Sequence, residues 1–367
     1  MPNSVMDVIK VDLPSILVFR IGQLGDTLVA MPAINSIRSR FPKHKLILLT
    51  DRHLNKNVFI SSWDILGPTK WFDDVIFYEP TPSIFGRIFN LITLFKQLKK
   101  FRFEYVFDLS PSRSYKQLKR DRFFFTRLLG ITNYFQAVSP TATPQAENGK
   151  LLFVTPEWKR LLSIVNDNIE CRDILDEISF NLPIPTKYLI EAKTLLDKHQ
   201  LDEHSQFIGI GPGSKMPAKQ WSFENYAELG KHLLLHYPEM HLLVVGGKED
   251  AETGADLCRQ WGERAHNLAG ELSIYGSAAI LKHCICYVGN DTGTMHLAGM
   301  VGTRCVSIFS ARDYPGKWEP YGTLHKILRT DIECAGCMLE ICSNNNACLC
   351  QISVDQVVDA VEGILNT

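Results

Sequence analysis

Nowhere does the 367-residue sequence hold the roughly 18–20 uninterrupted apolar residues of a membrane span. Met1-Pro2-Asn3-Ser4 offers no basic stretch leading into an apolar run, so a secretory signal is not expected either. An excess of charge of one sign is lacking too. With 39 Lys and Arg against 40 Asp and Glu, the net charge is −1. Nothing would then drive the phosphate neutralisation that a general nucleic-acid binder needs, and no nucleic-acid partner is expected. Gly-x-Gly-x-x-Gly is absent, which removes the main support for a nicotinamide oxidoreductase.

What is present reads as a cytoplasmic enzyme of ordinary globular composition, 45% hydrophobic and 22% charged, long enough for two domains. Ten cysteines are unevenly spread, and Cys334, Cys337, Cys342, Cys348 and Cys350 crowd one end. Cys334-x-x-Cys337 has the form of half a zinc site. The cluster lacks histidine and the later spacings are irregular, so metal, free thiols and a labile disulfide all stay open. The segment from Ile84 to Phe125 mixes Phe85, Phe89, Phe95 and Phe123 with Lys96, Lys99, Lys100, Arg120 and Arg122. It reads either as amphipathic helices with solvated lysines or as a surface for an anionic membrane or acceptor.

Two βα series are legible, separated by a less regular middle. The first opens with Ile16–Phe19 and a helical pattern through Leu28, Ala30, Ile34 and Ile37, with Pro32 tolerable only in a first turn. Strand-like runs follow at Leu46–Leu49, Val75–Tyr78 and Tyr105–Phe107. Asn181-Leu182-Pro183-Ile184-Pro185-Thr186 reads as an extended linker. The second series holds strands at Phe207–Ile210, Leu242–Val245, Ile285–Val288 and Cys305–Phe309, and closes on Val354, Val357, Val358, Val361 and Ile364 at helical spacing. The fold class is α/β, with doubly wound sheets that bind ligands at the carboxyl ends of their strands.

Three turns carry chemistry. Gly25-Asp26-Thr27 follows the first strand, where a carboxylate either caps a helix or takes a proton from an incoming hydroxyl. Gly209-Ile210-Gly211-Pro212-Gly213-Ser214 follows a strand, and its glycines would let a diphosphate approach backbone N–H groups, with Lys215 and Lys219 beside it. In Asn290-Asp291-Thr292-Gly293-Thr294-Met295-His296, Asp291 or Thr292 would cap a helix whose first turn offers N–H and hydroxyl donors.

The order and spacing of these turns, together with Lys219-Gln220-Trp221 and Gly246-Gly247 followed by Glu249 and Glu252, resemble glycosyltransferase family 9, the lipopolysaccharide heptosyltransferase-like enzymes. The resemblance implies a GT-B fold: two Rossmann-like domains, an acceptor-binding one over 1–185 and a nucleotide-sugar-binding one over 186–350, facing a cleft. It also implies that a C-terminal helix over 351–367 returns to the first domain. Asp26 would be the general base of an inverting transfer. Ser214, Lys215 and Lys219 would lie by the donor diphosphate, and Asp291, Thr292, Gly293 and His296 would hold its sugar and phosphates. Glu252, or else Glu249, would meet the ribose, and Leu272 the nucleobase. The co-substrate would be a nucleotide sugar of the ADP-heptose kind, with no other cofactor. No metal is called for, since the sequence has no Asp-x-Asp. The partners implied are that donor, a lipid-linked or oligosaccharide acceptor of the lipopolysaccharide core, and peripheral contact with the inner membrane. Ser310-Ala311-Arg312 departs from the family's Gly-Pro-Thr-like turn, which leaves the donor sugar open. On the acceptor side Arg113 and Arg120 could meet an anion or be solvated charges. Rival readings are a nucleotide-sugar-binding protein without transfer activity and an NAD-dependent oxidoreductase.

Overall fold

The computed structural model describes residues 13–52, 60–81, 83–111, 114–136, 144–169, 180–202 and 204–366. The chain forms two compact units, one from the described residues of 1–23, 33–140 and 163–171, the other from those of 24–32, 141–162 and 172–367.

The first unit is built on a parallel sheet of β1 (Ser15–Phe19), β2 (Lys45–Asp51), β3 (Asp74–Tyr78), β4 (Phe103–Asp108) and β5 (Asn133–Gln136), in the order β3-β2-β1-β4-β5. Every residue of β1 is buried, as expected of a strand covered on both faces. The connections carry α1 (Leu24–Arg40), α2 (Ser62–Leu66), α3 (Ile84–Leu98) and α4 (Tyr115–Phe123), the last running on into a π-helical turn, Phe124–Leu128. Leu17, Ile47, Val106, Phe125 and Tyr134 share one core. Pro32 falls inside α1, not in its first turn. The helix continues because Leu28, Ala30, Ile34 and Ile37 are all buried, and that burial outweighs the hydrogen bond proline cannot donate.

After α5 (Glu157–Asn168) comes α6 (Thr186–Lys198), and the sheet of the second unit has β6 (Gln206–Gly211), β7 (Met240–Val244), β8 (Ala265–Asn267), β9 (Cys284–Asn290), β10 (Arg304–Ile308) and β11 (Lys326–Leu328). All pairs are parallel in the order β11-β10-β9-β6-β7-β8. Counted from β6 as the first strand, this is the dinucleotide-fold order, with its reversal between β6 and β9. Around it stand α7 (Phe223–His236), α8 (Ala251–Trp261), α9 (Ile274–His283), α10 (Gly293–Met300), the short α11 (Ala347–Cys350) and α12 (Val354–Leu365).

The C-terminal helix does not return to the first domain. Val357, Val358, Val361 and Ile364 of α12 bury themselves in the core of the second unit, with Trp221, Val288 and Ile308. A stripe at that spacing needs one continuous apolar partner, and the second sheet supplies it. The proline-rich stretch before α6 is extended but docked: Phe180 donates its N–H to the Tyr321 hydroxyl at 2.9 Å and Leu182 to the Met300 carbonyl at 2.8 Å.

Candidate functional site

An open α/β sheet leaves a crevice where its strand order reverses, at the carboxyl ends of the two central strands. In the second unit those ends are Gly211 of β6 and Asn290 of β9, with Gly211 in register with Gly289. The buried Asn290 side chain ties the place together. Its Nδ2 donates to the carbonyls of Pro212 (2.8 Å) and Gly213 (3.3 Å), and its Oδ1 accepts from Trp221 N–H and the Tyr226 hydroxyl, both at 3.1 Å. One amide thus fixes the turn after β6, the approach to α7 and the loop that opens α10. It went unassigned in the sequence, where its only signal is a polar residue ending a buried apolar strand.

Asp291 follows and is mostly buried. Its Oδ2 lies 2.6 Å from the Lys219 Nζ, itself largely buried. Thr292 is the N-cap residue of α10 by its extended backbone, yet its side chain makes no capping bond. The hydroxyl therefore points its bonding capacity elsewhere than at its own helix.

His296 sits one turn into α10 and is 3% exposed. Burial pushes its pKa down from 6.5 to about 4, with Lys219 and His325 adding to the fall while Asp291 and Asp26 oppose it. Its ring meets Trp318 edge to face at 6.4 Å between centroids. Trp318 Nε1 donates to Asp313 at 2.9 Å, and Lys317 Nζ lies 3.0 Å from the same carboxyl. Burial would raise Asp313, but Lys317 and the Tyr314 N–H outweigh it and hold the carboxyl below its ordinary range.

The first turn of α1 belongs to this same unit. Helix α1 starts at Leu24, so half-buried Asp26 lies inside its first turn and is not its N-cap. A Cβ on Gly25 would stand 3.2 Å from the His296 ring, and one on Gly293 would come 2.8 Å from the Leu24 side chain. The two glycines let the first turn of α1 lie directly on α10, and this brings Asp26 within electrostatic reach of His296.

Glycines after β6 have a different neighbour from the one their pattern suggests. A Cβ on Gly211 would fall 1.8 Å from the Tyr287 hydroxyl, and one on Gly213 would fall 1.8 Å from Asp250 Oδ1. Close approach there is made by the protein's own side chains. Asp250 Oδ2 also accepts the Gly247 N–H at 2.9 Å. Its pKa is raised, by burial first, and Lys215 pulls it back. Ser214 is half-buried and accepts from the Met216 N–H at 3.1 Å, while Lys215 is exposed. Glu252 is exposed in the first turn of α8 and Leu272 half-buried ahead of α9. Glu249 folds over Gly247, where a Cβ would stand 2.4 Å from its carboxylate.

Asp26, Lys219, Asp291, Thr292, Gly293 and His296 thus gather at one place. Ser214, Lys215, Glu249 and Glu252 sit around the Gly213 and Gly247 turns. Arg329, whose guanidinium donates to the Asp313 carbonyl and feels the Asp291 charge, is a half-buried cation no motif pointed to. Arg312, in the departing turn, donates to the carbonyls of Leu339 (2.8 Å) and Met338 (2.6 Å), so it braces the cysteine-rich tail. Arg120 is paired with Asp121 at 2.7 Å, and Arg113 lies outside the described residues. The nine described cysteines are free thiols. Among the described residues no group of three or more His, Cys, Asp or Glu could hold a metal ion, and no helix is long and apolar enough to cross a membrane.

The model of glycosyltransferase family 9 (heptosyltransferase) matches residues 164–348, just over half of the chain. The chain belongs to glycosyltransferase family 9. The match takes in every strand of the second unit. Among curated relatives of this family 9 chain, lipooligosaccharide heptosyltransferase 2 of Campylobacter jejuni is 22% identical over 171 residues, 44% of this chain. That match spans about half, 51%, of the relative's length. Among solved structures, a family 9 glycosyl transferase from Veillonella parvula aligns with a TM-score of 0.71 at 18% identity, over 96% of this chain and 98% of that one. An Escherichia coli heptosyltransferase with ADP-2-deoxy-2-fluoro heptose aligns with a TM-score of 0.62 at 14% identity, over 95% and 99%. The likeness in fold extends over nearly the whole chain, and the fold is of the GT-B type, with two parallel α/β sheets.

Proposed function

We propose that this family 9 chain is an inverting glycosyltransferase that moves a heptose or related sugar from an ADP-linked donor to a hydroxyl of a lipopolysaccharide-core or related acceptor. The observation that carries the reading is Asp26 set beside the α10 loop by the Gly25 contact with His296. A base at that position meets the acceptor hydroxyl, and the α10 side holds the donor.

In the step itself, Asp26 takes the hydroxyl proton as the oxygen forms a bond to the anomeric carbon. The bond from that carbon to the diphosphate breaks on the opposite face, and the pair of electrons leaves with ADP. Lys219 and the Thr292 and Thr294 hydroxyls meet the charge that grows on the leaving group. Lys219 is already paired with Asp291, so the carboxylate holds the ammonium in place until a diphosphate draws it away. The diphosphate lies on the α10 side and not at Gly213, where the Asp250 carboxylate would repel it. Ser214 and Lys215 flank that turn, Glu252 meets the ribose, Leu272 meets the base, and His296 presents a neutral ring at pH 7. Residues 1–185 carry the acceptor and 186–350 the donor. The enzyme works at the cytoplasmic face of the inner membrane, where a lipid-linked acceptor is met.

The E. coli structure with ADP-2-deoxy-2-fluoro heptose supports ADP as the nucleotide. Replacing Asp26→Asn keeps size and removes the base. Transfer from ADP-heptose to heptose-deficient lipopolysaccharide should fall by about a hundredfold or more, while the thermal stabilisation given by ADP is retained. Turnover equal to that of the unaltered protein would overturn the assignment.

A further inference from the structure

Helix α3 leaves the body of the first unit with its apolar residues outward. Ile84, Phe85, Ile88, Phe89 and Ile92 are exposed, Phe85 by 86% and Phe89 by 69%. Only the far half of the helix docks, through Leu94, Phe95 and Leu98. The exposed half is nevertheless held in position. Ser83 caps it, Arg87 Nε donates to the Thr81 carbonyl at 3.0 Å, and Asn90 donates to the Glu79 carbonyl at 2.7 Å. A preformed apolar helix face of this size on a soluble body marks an interaction surface.

Its surroundings carry charge of one sign. Residues 84–128 contain eleven Lys and Arg against three Asp and Glu, while the whole chain is −1. Those three acids are already engaged. Glu104 pairs with His44 at 3.2 Å and Asp121 with Arg120 at 2.7 Å, while buried Asp108 accepts from Tyr134 and Gln136. The π-helical turn that continues α4 shares a core with the far half of α3 through Phe124 and Phe125, and α4 with that turn exposes Tyr115, Phe123 and Leu128 among Lys116, Lys119 and Arg122. Exposed aromatic and aliphatic side chains in a segment with an excess of cations match the apolar depth and negative charge of an anionic lipid surface. A second copy would bring like charge against like.

We infer that the exposed half of α3, flanked by the basic side chains of α4, is a membrane-docking face that seats Phe85 and Phe89 among the acyl chains of an anionic bilayer. This gives a named surface to the membrane location in the reading above, and its test needs no turnover, so either can fail without the other.

The full chain is sedimented with vesicles of equal parts phosphatidylglycerol and phosphatidylcholine, and with pure phosphatidylcholine. Binding should be at least about tenfold tighter to the anionic vesicles and should weaken as salt rises. The exposed pair Phe85→Ser/Phe89→Ser should lose about tenfold or more of that binding with an unchanged melting curve. Lys96→Glu/Lys100→Glu should abolish the preference for the anionic lipid. Absence of binding, equal binding by the Phe pair variant, or a concentration-dependent dimer that the Phe pair breaks would each overturn the inference.

Discussion

A buried histidine that stays neutral couples stability to pH, and His296 is such a group. Its folded pKa of about 4 lies below the ordinary 6.5, so between those values the unfolded chain binds a proton that the folded chain refuses. Stability of the second unit therefore rises with pH across that window and is lost as pH falls from about 6.5 toward 4. The full difference amounts to about 3 kcal/mol, and by about pH 5 roughly 2 kcal/mol of it is gone. His266 is also lowered to about 4, chiefly by burial, and acts in the same direction. His296→Gln should accordingly flatten the fall in urea midpoint between pH 7 and pH 5 without removing it. An unaltered slope in the variant would show that His296 takes up its proton alike in the folded and unfolded chain. At this scale the sequence offered Asp26, Asp291 and His296 through a local pattern of turns. Their gathering around one donor came only from the family resemblance, and the contacts that make it were not legible, because the Lys219–Asp291 pair and the Gly25–His296 contact join residues far apart in the chain.

At the scale of the element, glycine inside a helix is normally a weakness, and exchanging it for alanine gains about 1 kcal/mol. Gly230 in α7 reverses that sign. A Cβ there would stand 2.1 Å from the Trp261 ring, and that ring is fixed by its own Nε1 bond to the Ala227 carbonyl at 3.0 Å. Gly230→Ala should destabilise by about 1–3 kcal/mol, the overpacking cost exceeding the helical gain, and chemical denaturation measures it directly. A stabilised variant would mean that α7 and α8 part without cost. This contact was silent in the sequence for the same reason that some elements were. Long strands with buried apolar runs, such as Lys45–Asp51 and Cys284–Asn290, declare themselves. The edge strands Ala265–Asn267 and Lys326–Leu328 are three residues each, too short for any period, and exist because a neighbouring strand pairs with them. Helix α9 hides because nearly all of its faces are buried, which erases the amphipathic signal. Pro32 misled in the opposite direction, since proline marks a helix start unless packing on both sides holds the helix through it.

For the whole molecule, one core gathers around Leu17, Val106 and Phe125 and another around Ile208, Val288 and Val361. Helix α12 adds its stripe to the second core. Two compact units favour two unfolding events over one. A nucleotide bound only to the second unit would then stabilise only that unit, by about 2.7 kcal/mol at a hundred times its Kd. Calorimetry of the full chain should resolve two transitions, and ADP should raise one of them while leaving the other in place. Amide exchange identifies which: protection should rise in β6, β9 and the first turn of α10, and stay level in β2 and β4. GDP, UDP, dTDP and NAD at equal concentration should shift it less. A single transition that moves as a whole with ADP would mean that the two cores unfold as one. A larger shift with NAD would return the oxidoreductase reading, because the dinucleotide-fold strand order serves both chemistries and only the ligand separates them.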